Sequence, residues 1–367
     1  NISSSETCFH ITANNVTLNG NGYTIEGDKG INDIGVLVNS TANTTIKNIT
    51  ITKFGTGIKA LGSNSTSVSD ATIQENAWHY SIVLDATYNS IIKDSVIFNT
   101  TWTSGSGSAY AIYISGGSYN YIQDNIIERV YAGGYGYSSG IYIENSEENE
   151  IMSNSISNVS CGANSCSAIG INVASSENSL ISDNSFDYIT VTGIYPGHGI
   201  YVSSSAGIIA SNNTFNLVEH SITLSGLSRN SLFSGGLINN SIVDALLIDS
   251  TNISNITFSG IVISNTNSSY NDIYFKTGTN NLTKIKDMSI GKYNMSNFGS
   301  KVSIEDTQYG EILFLEKVSG AGNDFSSEII IVNNSAYLGG SNPGLNKTAN
   351  ISLYGIGNRG FTNPVIL

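Results

Sequence analysis

His198, His220 and Asp244 each stand immediately before a short burst of apolar residues: His198-Gly199-Ile200, His220-Ser221-Ile222 and Asp244-Ala245-Leu246. Two imidazoles and a carboxylate in one row could hold a divalent cation, or a carboxylate could orient an imidazole for proton transfer. The plainer reading is a surface ladder of unrelated polar residues, with no cofactor required. Asp85 and Glu144 form a second acidic pair, each four residues after a burst begins. Lyase chemistry would add a strong base beside such carboxylates, but Arg129, Arg229 and Arg359 all fall outside the bursts. No complete hydrolase or lyase set emerges, so the enzyme reading is the alternative.

These residues share a row only if the bursts repeat. Nine segments begin with Gly, Ala or Ser, followed by an apolar residue, any residue and another apolar residue. They start at Gly35, Gly57, Ser81, Ala111, Gly140, Gly170, Gly199, Ser221 and Ala245. The steps between them are 22, 24, 30, 29, 30, 29, 22 and 24 residues. Such a period in strand-forming residues marks a solenoid whose units bury their apolar faces only by stacking. Within each unit the apolar residues alternate with period two, as in Ala111-Ile112-Tyr113-Ile114, and Asn, Gly and Ser mark the corners. Ile112, Ile141, Ile171 and Ile200 should therefore line one interior column. Stacked coils lie about 4.8 Å apart. Asn89, Asn120, Asn149 and Asn178 are then one expected side-chain ladder, and Asp94, Asn125, Asn154 and Asn184 another.

On these repeats, over about residues 12 to 275, the chain resembles the right-handed parallel β-helix proteins of pectate-lyase-like architecture. That group includes many secreted archaeal and bacterial surface proteins. The resemblance implies an all-β solenoid of about ten to twelve coils and, as the expectation for source, an archaeon. Gly197-His198-Gly199 looks like the Gly-His-Gly element of polygalacturonases. The Asn-Thr-Asp, Asp-Asp and Arg-x-Lys segments of those enzymes have no counterpart here, and glycoside hydrolysis needs two facing carboxylates. Gly199 is also an ordinary repeat start.

The 367 residues carry a formal charge of −13, yet only 12% are charged, so Asn, Ser and Thr supply the surface. That balance disfavours nucleic acid and anionic membranes and suits neutral glycans. No stretch reaches transmembrane length, so no membrane insertion is expected. About eighteen Asn-x-Ser/Thr triplets occur, including those at Asn15, Asn43, Asn48, Asn64, Asn99, Asn158, Asn212, Asn252, Asn267, Asn281, Asn294, Asn346 and Asn350. Cys161 and Cys166 are close enough in sequence for a loop disulfide, and Cys8 is left to pair with a segment outside this chain. The abrupt start at Asn1 and the apolar end Pro364-Val365-Ile366-Leu367 read as trimmed termini.

Residues 1–34 read as an N-terminal capping coil, 35–270 as regular coils, and 271–367 as irregular terminal coils or a small β-domain. Four coils carry about six extra residues each, giving long loops at 99–110, 130–139, 158–168 and 188–198. The loops lie at one corner and should form a wall bearing Trp102, Tyr131, Tyr135, Tyr137 and Tyr195. Beside it, Tyr113, Tyr142, Asn172 and Tyr201 point outward from the first strands of four successive coils, a largely aromatic face suited to sugar rings. Loops folded over these tyrosines are the alternative. The sequence as a whole reads as an extracellular, glycosylated cell-surface protein: a surface-layer, filament or stalk component that binds copies of itself in a polymer or array, or binds glycans. The alternative is a carbohydrate-active enzyme or sugar-binding module using the first-sheet face.

Overall fold

The computed structural model describes residues 1–355, except 77–78, 104, 106, 163–164, 251, 278–281, 297–300 and 341. Over that range the chain winds into a right-handed parallel β-helix of about ten turns. A middle turn shows the construction. Ala109–Ser115 lies in a front sheet, while Tyr121–Gln123 and Ile126–Ala132 lie in the rear sheet. Alternation turns Ile112, Ile114, Ile122, Ile127 and Val130 inward, all fully buried.

One turn on, each inward residue meets its equivalent. Ile112 pairs with Ile141, Ile141 with Ile171, Ile171 with Ile200, and Ile200 with Ile222. Each fully buried isoleucine contributes about 1.5–3 kcal/mol of apolar burial, so the stack itself creates the core. The small residue that opens each front strand follows from the same packing. A Cβ at Gly170 or Gly199 would stand 2.5 or 2.6 Å from the rings of Phe186 and Phe215, which stack with centroids 4.8 Å apart.

Asparagine ladders stitch the turns, but their membership differs from the sequence expectation by one residue. The first runs through Ser90, Asn120 and Asn149, and the second through Ser95, Asn125, Asn154, Asn184 and Asn213. Asn89, Asn178 and Asp94 instead take left-handed backbone at the corner, with φ of 53°, 53° and 49°. Asn89 bonds outward to Asn64. A corner needs one left-handed residue and one inward amide, and asparagine serves both needs, so sequence spacing alone did not separate them.

Coils continue into both end segments. Phe9–Ile11 and Thr17–Asn19 already stack in parallel register on the following turn. At the other end, parallel stacking continues past residue 270 through Ile273–Thr277, Thr283–Lys286 and Val302–Asp306. Antiparallel pairing joins Tyr293–Asn294 to Ala321–Gly322 and Val302–Asp306 to Gly310–Phe314, which in turn pairs with Ala349–Leu353, beside the hairpin Ile329–Val332 and Ser335–Leu338. A single-turn helix, Phe325–Glu328, is capped by the Asp324 side chain.

Strands run into the four expected loops, ending at Trp102, Ala132, Cys161 and Val191 and resuming at Ala109, Tyr137, Ser167 and His198. Cys161 and Cys166 are joined as a disulfide across the third of these, with Cα atoms 6.1 Å apart. The Cys8 thiol is half-buried and free. Among the sequons, Asn43 donates to Asn15 and Asn48 to Asn19. Asn281 lies outside the described residues. Among the described residues no helix is long and apolar enough to cross a membrane.

Candidate functional site

The parallel register of the front sheet sorts its outward side chains into three rows along the axis. The first contains Tyr80, Tyr110, Ser139, Ile169, His198 and His220. The second contains Val83, Tyr113, Tyr142, Asn172, Tyr201, Thr223, Leu247 and Tyr274. Asp85, Ser115, Glu144, Ala174, Ser203, Ser225 and Asp249 form the third. A cleft of about 750 Å³ opens over the C-terminal half of these rows, a volume suited to a small-molecule or oligomeric ligand. Tyr137, Cys166, Tyr195 and Pro196 wall it on the loop side; Asn172, His198, Tyr201, His220, Asp244, Asp249 and Lys276 are among the residues of its floor and far side.

Two of the expected wall aromatics, Tyr137 and Tyr195, line this cleft, each with about half of its surface exposed. Three others do not. Trp102 is half-buried, stacked on His79 with ring centroids 4.0 Å apart, and Gly107 packs against its ring. Tyr131 lies within the rear-sheet strand Ile126–Ala132, paired with Ser160. Tyr135 is strongly exposed in the 133–136 loop but lies away from the cleft.

Tyr113 and Tyr142 project from the front sheet as expected but are half-buried rather than forming an open platform. With Tyr80 and Tyr110 they form a cluster with centroids 5.1–5.7 Å apart. Both hydroxyls donate to Glu144, Tyr113 to Oε1 and Tyr142 to Oε2, the latter at 2.9 Å. Burial pushes the Tyr110 phenol up to about 12. Burial, followed by the Glu144 carboxylate, raises Tyr113 and Tyr142 further. Glu144 is thus the anchor of a tyrosine network. Tyr201 stays in the cleft, its ring 4.9 Å from that of His198.

His198, His220 and Asp244 do stack in one row. The two imidazoles lie face to face with centroids 5.5 Å apart. His198 Nδ1 is 2.8 Å from Thr223 Oγ1, and His220 Nδ1 donates to the Asp244 carbonyl oxygen at 3.2 Å. Burial pushes His198 well below the usual imidazole range and lowers His220 against the pull of Asp244, so both rings are neutral at pH 7. The 3.9 Å approach of Asp244 Oδ2 to His220 is therefore not an ion pair. Imidazole lone pairs lie in the ring plane, so stacked rings do not converge on one metal ion. Among the described residues no three His, Cys, Asp or Glu side chains are placed to hold a metal.

Sequence reasoning missed two supports of the cleft. Glu219 is mostly buried and accepts from Val191 N at 2.8 Å and Gly197 N at 2.7 Å, pinning both ends of the loop that carries Tyr195. No repeat position flags it, since its partners are backbone groups one turn earlier. Lys276 bonds Asp249 at 2.9 Å across adjacent turns, and the register shift at Ile248/Asp249 hid that pairing from the spacing. Tyr80 and Tyr110, by contrast, occupy the repeat position of His198 and were open to the same count.

The description "Periplasmic copper-binding protein (NosD)" belongs to a family model that matches residues 1–192, just over half of the chain. Within that segment lie His10, His79 and the Cys8 thiol; His198 and His220 lie beyond it. No curated protein matches the sequence. Among solved structures the chain is similar to the periplasmic alginate epimerase AlgG, at 14% identity and a TM-score of 0.54, covering 79% of this chain and 73% of that one. It is similar to PfbA, a surface adhesin of Streptococcus pneumoniae, at 15% identity and a TM-score of 0.51, covering 74% and 72%. For the catalytic unit of a GH87 α-1,3-glucanase from Streptomyces thermodiastaticus the values are 12%, 0.50, 76% and 61%, so the chain spans about three fifths of that unit. At these identities the likeness is one of fold.

Proposed function

From a chain that belongs to the NosD family, described as periplasmic copper-binding protein, we propose an exported adhesive module that binds glycans in the front-sheet cleft. The observation that carries this reading is the cleft itself: a rigid, parallel-stranded floor bearing Tyr201 and Asn172, walled by the half-exposed rings of Tyr137 and Tyr195. Aromatic rings beside hydroxyl and amide groups match the alternating apolar faces and hydroxyl edges of a sugar. The family description supports a place outside the cytoplasm, and the Cys161–Cys166 disulfide agrees with an oxidising compartment. Glycosylation at the exposed sequon asparagines, such as Asn43, Asn64 and Asn252, belongs to the same reading. So does assembly of copies into a filament or array.

The family description implies copper, and the described donors do not fit it. The two neighbouring imidazoles are stacked and lie outside the matched segment, so no step of this reading passes through a metal.

The test is retention on a panel of immobilised polysaccharides, with Tyr195→Ala and Tyr201→Ala run beside the parent. Binding lost in both variants at unchanged melting temperature supports the reading; binding kept by both contradicts it. A second reading, glycan cleavage, is favoured by one observation: His198, His220 and Asp244 meet in the same cleft. Release of reducing ends from any panel member, abolished by Asp244→Asn, would move the assignment to that reading.

A further inference from the structure

The polar groups that line the cleft are mostly hydroxyls, with two carboxylates, one amide and one ammonium among them. The Asn172 side chain is only 7% exposed, lines the floor, and holds a buried Oδ1 with no partner in the protein. Buried amide oxygens are almost always bonded, so this one points to a donor supplied from outside. Asp244 and Asp249 add two carboxylates to the same lining. Asp244 uses Oδ1 to accept from the backbone N and side-chain Nδ2 of Asn271, both at 2.8 Å. Among the described lining residues the one fixed cation is Lys276, and its ammonium is already bonded to Asp249. His198 and His220 are neutral and add no positive charge. A ligand that presents acceptors and negative charge, such as a uronate or a sulfated sugar, would meet like charge with no free cation to answer it.

Resting on the reading of the cleft as a glycan site, we infer that it selects an uncharged, hydroxyl-rich saccharide and rejects uronates, with Asn172 Oδ1 as the central acceptor for a sugar hydroxyl. Hydroxyl donors satisfy the orphaned oxygen, the aromatic walls cover the apolar ring face, and the two carboxylates set the sign of the selection. The wider surface agrees, since the chain carries a formal charge of −13.

The experiment is an array of neutral oligosaccharides beside oligogalacturonates and oligoalginates, followed by calorimetric titration of the strongest member of each series. The expected result is signal on neutral members, with uronates at least about tenfold weaker and neutral binding insensitive to salt between 50 and 500 mM. Asn172→Leu should weaken the neutral ligand by about three- to tenfold. Because that change alters a buried position, Asp249→Asn and Asp244→Asn, each checked by melting temperature, are read with it. Together they should narrow the gap between uronate and neutral ligands. Uronates bound as tightly as neutral sugars, or a gap unchanged in the Asp variants, would overturn the charge selection while leaving the cleft reading in place. Signal on neither series would overturn both.

Discussion

Asn154 donates its amide to Ile122 O, Met152 O and Asn184 Oδ1, and accepts from Asn125, so one side chain serves three turns. Its neighbours have no water to turn to if it is removed. Asn154→Ala should therefore destabilise the protein by about 2–3 kcal/mol. Asn89→Gly keeps the left-handed corner, removes only the exposed bond to Asn64 and should shift stability by less than about 1 kcal/mol. Guanidinium unfolding monitored by circular dichroism checks both. The neutral imidazoles give a second residue-scale expectation. Their pKa values are lower in the folded than in the unfolded state, so below about pH 6.5 the unfolded chain binds protons that the folded chain refuses. The stability these rings permit is complete above that pH and is lost as pH falls below it. Buried Glu219, raised by desolvation, works in the opposite direction lower on the scale. Replacing both rings, His198→Gln with His220→Gln, should therefore flatten the fall in melting temperature between pH 7 and 5. An equal fall in parent and variant would contradict this assignment.

Among the elements, the 192–197 loop is the wall held by the most specific device, the Glu219 carboxylate with one oxygen at each end of the loop. Glu219→Ala should speed proteolysis or amide exchange within 190–198 and weaken glycan binding. The melting temperature should fall by only a few degrees, because the stacked core is untouched. A loss of binding without faster exchange would assign Glu219 a different role. The strands themselves were legible from the small residue that opens each one and the alternation that follows. The Ile112, Ile141, Ile171 and Ile200 column and the His198, His220 and Asp244 row follow from counting alone. What counting missed obeys a different physics. Trp102 looked like a wall residue because the chain lengthens there, but stacking on His79 and under Gly107 buries more apolar surface than exposure would. The ladder partners slipped by one because two needs at each corner are met by the same amino acid. Tyr113 and Tyr142 were placed on the correct face, but their capture by Glu144 comes from the third row, which spacing orders without showing which side chains reach across.

For the whole molecule, the solenoid separates support from recognition: the buried column and ladders fix the front sheet, and insertions at one corner raise walls over part of it. The donors of the chain also bear on the family description. Copper that bound the folded state in a built site would raise its melting temperature. With no converging set among the described residues, an equimolar addition of copper(II) should shift it by less than about 1 °C; a rise of several degrees would require a site elsewhere. The most direct test of the cleft as the ligand site is hydrogen–deuterium exchange with and without the strongest neutral oligosaccharide from the array. Slowed exchange is expected to concentrate in residues 192–203 and 243–249, with the rear sheet unchanged. Protection confined to the rear sheet or to the terminal hairpins would contradict it.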